Sequence, residues 1–168
     1  MLNVSRCCLY AAAFVIGQTA LAGAAASPEK LPPGMTPQVF KMLMTPGPQH
    51  PAGLPSDVKP WFGCVPAMGY HYVSDKNKPF GPIYGWYNGK PVFTEVMITP
   101  EQLNSGKSWD DILKPLPGYH VDHVDIWWEA HGHPGFPVPH YDIHAYYVPH
   151  SVHMHFCGNT SGKKPAWL

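Results

Sequence analysis

Histidine stands out in this sequence for its chemistry. The chain has 11 histidines, as many as its Lys and Arg residues together, and nine of them lie between His120 and His155. They are interleaved with strand-forming residues, unlike the consecutive histidines of a tag or a metal-storage tail. Imidazole binds Zn, Cu, Fe and Ni, and carboxylates extend the choice to Mn. The segment therefore predicts a site for a divalent transition metal, with Zn, Cu, Mn and Fe all open.

Alternation places the polar side chains of this segment on one face of each predicted strand. Successive side chains of a strand point to opposite sides, so residues two apart share a face. The polar faces carry, in three predicted strands, His123, Asp125, Trp127, Glu129 and His131; His140, Asp142, His144 and Tyr146; and His153, His155 and Cys157. If these strands are neighbours in one antiparallel sheet, their polar faces form one surface.

The first functional hypothesis is a metal-binding protein whose ligands come from that surface. His-x-His on a strand sets both rings on one side, about 6.6 Å apart at the backbone, which suits a shared ion. A catalytic metal needs about three protein ligands and an open position. The predicted ligands are His133, His140 and His144, with Asp142 as a ligand or as an orienting partner. Further candidate ligands are His131, His153 and His155.

Two other classes of function stay open. A metal-dependent enzyme of cupin or carbonic-anhydrase type would need a pocket beside the metal and a general base, for which Glu129 is the candidate. A metal-free structural or interaction protein of the cell envelope would use its aromatic faces for assembly. Imidazoles that titrate near pH 6.5 could also make such an assembly pH-responsive. The sequence does not decide whether the protein is an enzyme, and it names no substrate.

The elements that must hold these residues are mostly strands. Asn88-Gly89 between two strand-like runs is typical of a tight hairpin, because both residues tolerate positive φ. Helix-capping residues at Thr36 and Thr99 predict one or two short helices. The 21 prolines and 16 glycines exclude long helices. We expect a mainly β fold, an antiparallel sheet closed as a barrel or sandwich.

The chain divides into three predicted parts. Residues 1–26 are typical of a signal peptide, with Arg6 before an apolar stretch and small residues at Ala22-Gly23-Ala24. Residues 27–60 form a Pro-rich leader that contains the first short helix. Residues 61–168 form a single β-rich domain. This organisation predicts a secreted or periplasmic protein, without a membrane-spanning segment once the signal peptide is cleaved.

Two cysteines, Cys64 and Cys157, remain after that cleavage. An even pair in an oxidising compartment favours a disulfide, which would close a loop of roughly a hundred residues and stabilise the chain by about 4–5 kcal/mol. A blue-copper ligand is the rival interpretation of Cys157. That site needs His and Met soon after the cysteine, and Gly158-Asn159-Thr160 supplies neither.

Composition excludes several classes of function. Eleven Lys and Arg balance eleven Asp and Glu, so the chain lacks the basic excess of a nucleic-acid binder or a polybasic membrane-surface protein. A hydrophobic content of 45% excludes wholesale disorder. A homo-oligomer and an unidentified small-molecule ligand stay open as partners.

The histidine-rich segment resembles a family of secreted bacterial proteins of unknown function. The shared motif is Gly-His, a short Gly/Pro loop, then Pro-His-aromatic-Asp-x-His and further aromatic residues. Here the motif is Gly132-His133, Pro139-His140-Tyr141-Asp142-Ile143-His144 and Tyr146-Tyr147. The resemblance implies a mostly β domain, a ring-like oligomer, and His133, His140, Asp142 and His144 acting as a unit.

Overall fold

A six-stranded antiparallel sheet forms the body of the protein. The computed structural model describes Leu31 and residues 33–168. The strands are β1 (Lys59–Val65), β2 (Gly69–Val73), β3 (Ile83–Tyr87), β4 (Lys90–Ile98), β5 (His123–Glu129) and β6 (His140–Tyr146), in the spatial order β1-β2-β3-β4-β6-β5. The helices are α1 (Pro37–Leu43), α2 (Pro100–Leu103) and α3 (His150–His153), with 3₁₀ turns at Asp75–Asn77 and Phe156–Gly158. The predicted mainly β, antiparallel fold with short helices is confirmed.

The predicted closure into a barrel is wrong. β1 and β5 are the two edges of the sheet, and no ladder joins them within the described residues. Helix α1 and the C-terminal segment cover one face instead, so its apolar side chains are buried without closure; Leu43, Phe62 and Phe156 share this core. A sandwich would need a second sheet packed on the first, and that alternative stays a prediction.

The hairpin and the helix caps form as the sequence predicts. Asn88 and Gly89 adopt φ of 47° and 87° between β3 and β4, which suits the right-handed twist of the flanking strands. Thr36 Oγ1 accepts a hydrogen bond from the Val39 amide at the start of α1. Thr99 and Gln102 make a reciprocal capping box at α2. Helix α1 of the predicted leader packs against β1 through the buried Leu43.

The polar faces of β5 and β6 point inward. Strand β6 lies between β4 and β5, and its His140, Asp142 and His144 are at most 2% exposed. The opposite, apolar face of β5 meets solvent: Val124 is 49% and Ile126 63% exposed. The core side of the sheet therefore carries a band of imidazoles and carboxylates, where an ordinary sheet would carry aliphatic side chains.

The prediction of a third histidine-bearing strand, near residues 152–157, is wrong. Helix α3 begins after Pro149, and the His153 amide donates to the Pro149 carbonyl. A 3₁₀ turn follows, in which Cys157 has a φ of 53° and forms a disulfide with Cys64 of β1. Short helical spacing replaces alternation, so His150 and His153 lie on one side of the segment, while Val152 is exposed.

The predicted signal peptide, residues 1–26, lies outside the described residues. Within the part that the structure describes, no helix is long and apolar enough to cross a membrane.

Candidate metal centres

Among the described residues, three groups of imidazole and carboxylate side chains converge closely enough to hold a metal ion. Within each group, one ligand atom from every residue lies within 4.8 Å of the others. We call them the four-residue cluster (His123, Asp125, His150 and His153), the buried triad (His71, Glu95 and His144) and the loop trio (His133, His140 and Asp142). The three groups differ in how well the protein alone satisfies their polar atoms.

The four-residue cluster joins the edge strand β5 to helix α3. His123 and Asp125 are two apart on β5, and His150 and His153 are three apart on α3. The α3 segment is fixed from its other side by the Cys64–Cys157 disulfide and by a hydrogen bond from His153 Nδ1 to the Ala67 carbonyl, 2.7 Å long.

Four of the distances among these ligand atoms match those around a tetrahedral ion, and a fifth is longer. Metal–ligand bonds of about 2.0–2.1 Å place tetrahedral ligand atoms about 3.3–3.4 Å apart. His153 Nε2 lies 3.2 Å from His123 Nε2, 3.2 Å from His150 Nδ1 and 3.3 Å from Asp125 Oδ2. Asp125 Oδ2 lies 3.2 Å from His150 Nδ1 and 3.8 Å from His123 Nε2.

The protonation pattern of the cluster favours a cation at its centre. His153 Nδ1 donates to Ala67 O, and His123 Nδ1 lies 3.0 Å from Asp122 Oδ1, to which it donates. In neutral rings both Nε2 atoms are then lone-pair acceptors. Two such lone pairs, whose nitrogens are 3.2 Å apart beside a carboxylate oxygen, repel one another unless a positive charge lies between them.

The cluster is rigid on one side and open to solvent on the other. The His153 ring stacks on Tyr146 with centroids 3.7 Å apart, and the His123 ring stacks on Tyr146 at 5.1 Å. The side chain of His153 is buried, whereas that of His150 is 56% exposed. An ion could therefore enter past His150 and meet ligands that packing already holds in place.

The buried triad comes from three strands of the sheet. His71 lies on β2, Glu95 on β4 and His144 on β6, where Glu95 and His144 are cross-strand partners. His71 Nε2 is 3.5 Å from Glu95 Oε2, and His144 Nε2 is 3.5 Å from Glu95 Oε1. All three residues are at most 4% exposed.

Burial sets the charge of the triad. It lowers the pKa of His71 to about 3 and that of His144 to about 4, so both rings are neutral near pH 7. Neutral imidazole is the metal-binding form. Burial also raises the pKa of Glu95 well above its ordinary value, and the carboxylates of Asp142 and Glu129 add to that rise.

The loop trio can be held together by a proton alone. His140 Nε2 lies 2.9 Å from Asp142 Oδ1 and 3.2 Å from His133 Nε2. Burial lowers the pKa of His140, but the hydrogen bond and charge of Asp142 more than offset it, and the net shift is upward. A protonated His140 can donate through Nδ1 to Val138 O and through Nε2 into the trio.

The structure divides the predicted ligand set. His133, His140 and Asp142 come together as the loop trio, but His144 faces Glu95 and His71. His140 and His144 share a face of β6, but they are four residues apart on a regular strand, which is too far for both to bind one ion. His153 joins the four-residue cluster. His131 and His155 are exposed and belong to none of the three groups.

The predicted general base, Glu129, is buried and paired with a cation. Its Oε1 lies 2.8 Å from Lys164 Nζ. Burial raises the pKa of Glu129, and Lys164 acts in the opposite direction. Its role as a general base stays a prediction.

Sequence reasoning missed five ligand-type residues. The sequence analysis names none of them as a metal ligand: His71 and Glu95 of the buried triad, and His123, Asp125 and His150 of the four-residue cluster. Alternation sets His123 and Asp125 on the polar face of β5 but assigns them to no site. The signal for His150 is its spacing of three from His153 after a proline, which is typical of a helix start.

A small cavity lies between the sheet, α1 and the C-terminal residues. Its volume is about 30 Å³, enough for about two waters or one small ligand. Its polar walls are His71 and Glu95 of the buried triad and His133 and Asp142 of the loop trio. The other lining residues are mostly apolar, Phe62 and Met97 among them.

Comparison with known proteins identifies similar sequences without an assigned activity. Residues 87–128 match the model of the TTHB210-like family, described as hypothetical protein TTHB210. The crystal structure of hypothetical protein TTHB210 from Thermus thermophilus is 29% identical, with a TM-score of 0.46, over 53% of this chain and 80% of that one. No curated protein matches the chain. The match to the family model confirms a resemblance to a family of hypothetical proteins, but the motif from Gly132 to Tyr147 lies beyond the residues that this model matches and stays a prediction.

Proposed function

We propose that this chain is a secreted or periplasmic metal-binding protein that holds one Zn²⁺-class ion at the four-residue cluster. The observation that carries the proposal is the convergence of three imidazole nitrogens and one carboxylate oxygen, four of whose mutual distances are 3.2–3.3 Å, contributed by His123, Asp125, His150 and His153. Four protein ligands fill the coordination sphere of zinc, as in structural sites.

The position of the cluster supports a role in holding the fold together. The ion would tie the edge strand β5 to α3, and the disulfide ties the segment after α3 to β1 at the other edge. The disulfide is compatible with an oxidising compartment, which agrees with the proposed location.

The loop trio is the second candidate for the metal, because His133, His140 and Asp142 supply three ligand atoms within 3.9 Å of one another. We place the ion at the four-residue cluster instead, since four ligand atoms converge there and only three converge in the trio. The homo-oligomer and the small-molecule ligand stay predictions.

Elemental mass spectrometry of untagged protein, purified without chelators, tests the proposal. The double variant His150→Ala, His153→Ala should hold one ion fewer per chain than the wild type. His155→Ala is the matched control, since His155 is an exposed histidine of the same segment outside the three groups. An equal metal content in the double variant and the wild type would refute the proposal.

A further inference from the structure

The buried triad is the least satisfied polar group in the described core. Both ring nitrogens of His144 and the Oε2 atom of Glu95 are buried without a hydrogen-bond partner among the described residues. An unsatisfied buried polar atom destabilises the folded state, and a charged one does so more strongly. Buried polar atoms without a partner in a native fold call for an explanation, and an ion or a water bound between them is one.

Protein cations do not fill this role. In the part of the chain that the structure describes, the ion-pair contacts of Glu95 are to His71 and His144, each at 3.5 Å, and no lysine or arginine is among them. The residue directly across from Glu95 on β3 is the apolar Ile83. A carboxylate enclosed in this way is stable only when protonated or when a cation binds it.

The orientation of His71 fits a metal ligand. Its Nδ1 donates to the Gly69 carbonyl at 3.2 Å, which leaves Nε2 as a lone pair facing Glu95. Hydrogen bonding of the remote ring nitrogen to a backbone carbonyl is the usual way in which proteins orient an imidazole on a metal. The Phe93 ring lies edge-on to both imidazoles, with centroids 5.1 Å from His71 and 4.8 Å from His144, and keeps them in place.

The cavity gives this group what the four-residue cluster lacks. His71 and Glu95 line it and His144 does not, so an ion held by the three would have coordination positions that open into mostly apolar space. Two imidazoles and one carboxylate with open positions form the donor set of non-haem Fe(II) sites. The volume of the cavity limits an additional ligand to a few atoms.

We propose that His71, Glu95 and His144 form a second metal site, distinct from the zinc-type cluster, that binds a divalent first-row ion such as Fe(II) and coordinates a small exogenous ligand in the cavity. The ligand class is water or a di- or triatomic molecule or anion. The site does not depend on the four-residue cluster, because it shares no residue with it.

The test uses Co²⁺ as the metal and azide as the probe ligand. In the wild type, azide should change the visible spectrum of the Co²⁺-loaded protein. Glu95→Gln keeps the size of the side chain and removes its charge. This variant should bind one Co²⁺ fewer and lose the azide response, with Co²⁺ affinity at this site weakened more than about 100-fold, since even outer-shell partners are worth about 10–100-fold.

Asp125→Asn is the matched control. It also removes one carboxylate charge, but from the four-residue cluster, so it should lose one Co²⁺ and keep the azide response. Circular dichroism of the metal-free variants checks the fold, and His144→Gln is the second variant if Glu95→Gln does not fold. An azide response retained in a folded Glu95→Gln or His144→Gln variant overturns the proposal. So does a response lost in Asp125→Asn or abolished only by His133→Ala.

Nitric oxide on the Fe(II)-loaded protein gives an independent readout. Open positions on iron should yield the EPR signal of a high-spin iron nitrosyl, present in Asp125→Asn and absent in Glu95→Gln. A signal of equal intensity in both variants would place the iron elsewhere and refute the assignment.

Discussion

The four-residue cluster and the buried triad use the same side-chain chemistry in opposite settings. The cluster lies at an edge strand, with His150 largely exposed and four ligand atoms around one point. The triad is buried on the inner face of the sheet, and two of its three residues, His71 and Glu95, line a cavity. The comparison teaches that ligand count and surroundings decide the chemistry: four ligands close a metal site, whereas three ligands beside an apolar cavity leave it open.

The largest expected effect comes from removing the disulfide, which should weaken the four-residue cluster and leave the triad intact. Helix α3 carries two of the four ligands of the four-residue cluster, and the disulfide fixes the segment that follows this helix. The residues of the triad lie on β2, β4 and β6, away from the disulfide segment. Replacing Cys64 and Cys157 by Ala should destabilise the protein by about 4–5 kcal/mol on the chain-entropy model, measured by urea unfolding. Zinc affinity should fall in this variant while the Co²⁺–azide response persists. If zinc affinity and the azide response fell to the same degree, the two sites would not depend on different parts of the fold.

Metal removal should act mainly through the four-residue cluster. Zinc at about 100 times its dissociation constant stabilises a folded protein by about 2.7 kcal/mol. A chelator should therefore lower the Tm of the wild type, measured by differential scanning calorimetry, and leave that of Asp125→Asn nearly unchanged. An equal drop in Asp125→Asn would mean that the stabilising ion lies outside this cluster.

A substitution under Phe93 should disturb the triad alone. A Cβ at Gly85 would collide with the Phe93 ring, which contacts both His71 and His144. Gly85→Ala should cost about 1–3 kcal/mol through overpacking. It should also weaken the azide response, with zinc content unchanged by elemental analysis. An undisturbed azide spectrum in Gly85→Ala would show that Phe93 does not position the imidazoles.

The smallest effect concerns an exposed ligand. Because His150 is more than half exposed, His150→Ala should change the stability of the metal-free protein by less than about 0.5 kcal/mol. The same variant should lose most of its zinc affinity, measured by isothermal titration calorimetry. A large loss of stability without metal would assign His150 a packing role instead.

Local patterns are enough to predict several of the elements. Alternation locates β5 and β6, Asn88-Gly89 locates the β3–β4 hairpin, and Thr36 and Thr99 locate two helix starts. These signals depend on residues close in sequence, where backbone preferences and short hydrogen bonds decide the conformation.

The composition of the sites depends on pairings that no local pattern contains. Glu95 meets His144 because β6 inserts between β4 and β5, a contact between residues 49 positions apart in the sequence. Alternation with a period of two divides β5 into two faces, but it does not tell which of the two faces points inward. Residues 150–157 are too few to distinguish strand from helix by periodicity.

Anomalous diffraction at the zinc edge, from crystals of protein grown with zinc, tests the central claim most directly. The account predicts a peak about 2.0–2.2 Å from His123 Nε2, Asp125 Oδ2, His150 Nδ1 and His153 Nε2. A map without a peak at that point, or with one only beside His133, His140 and Asp142, would contradict it.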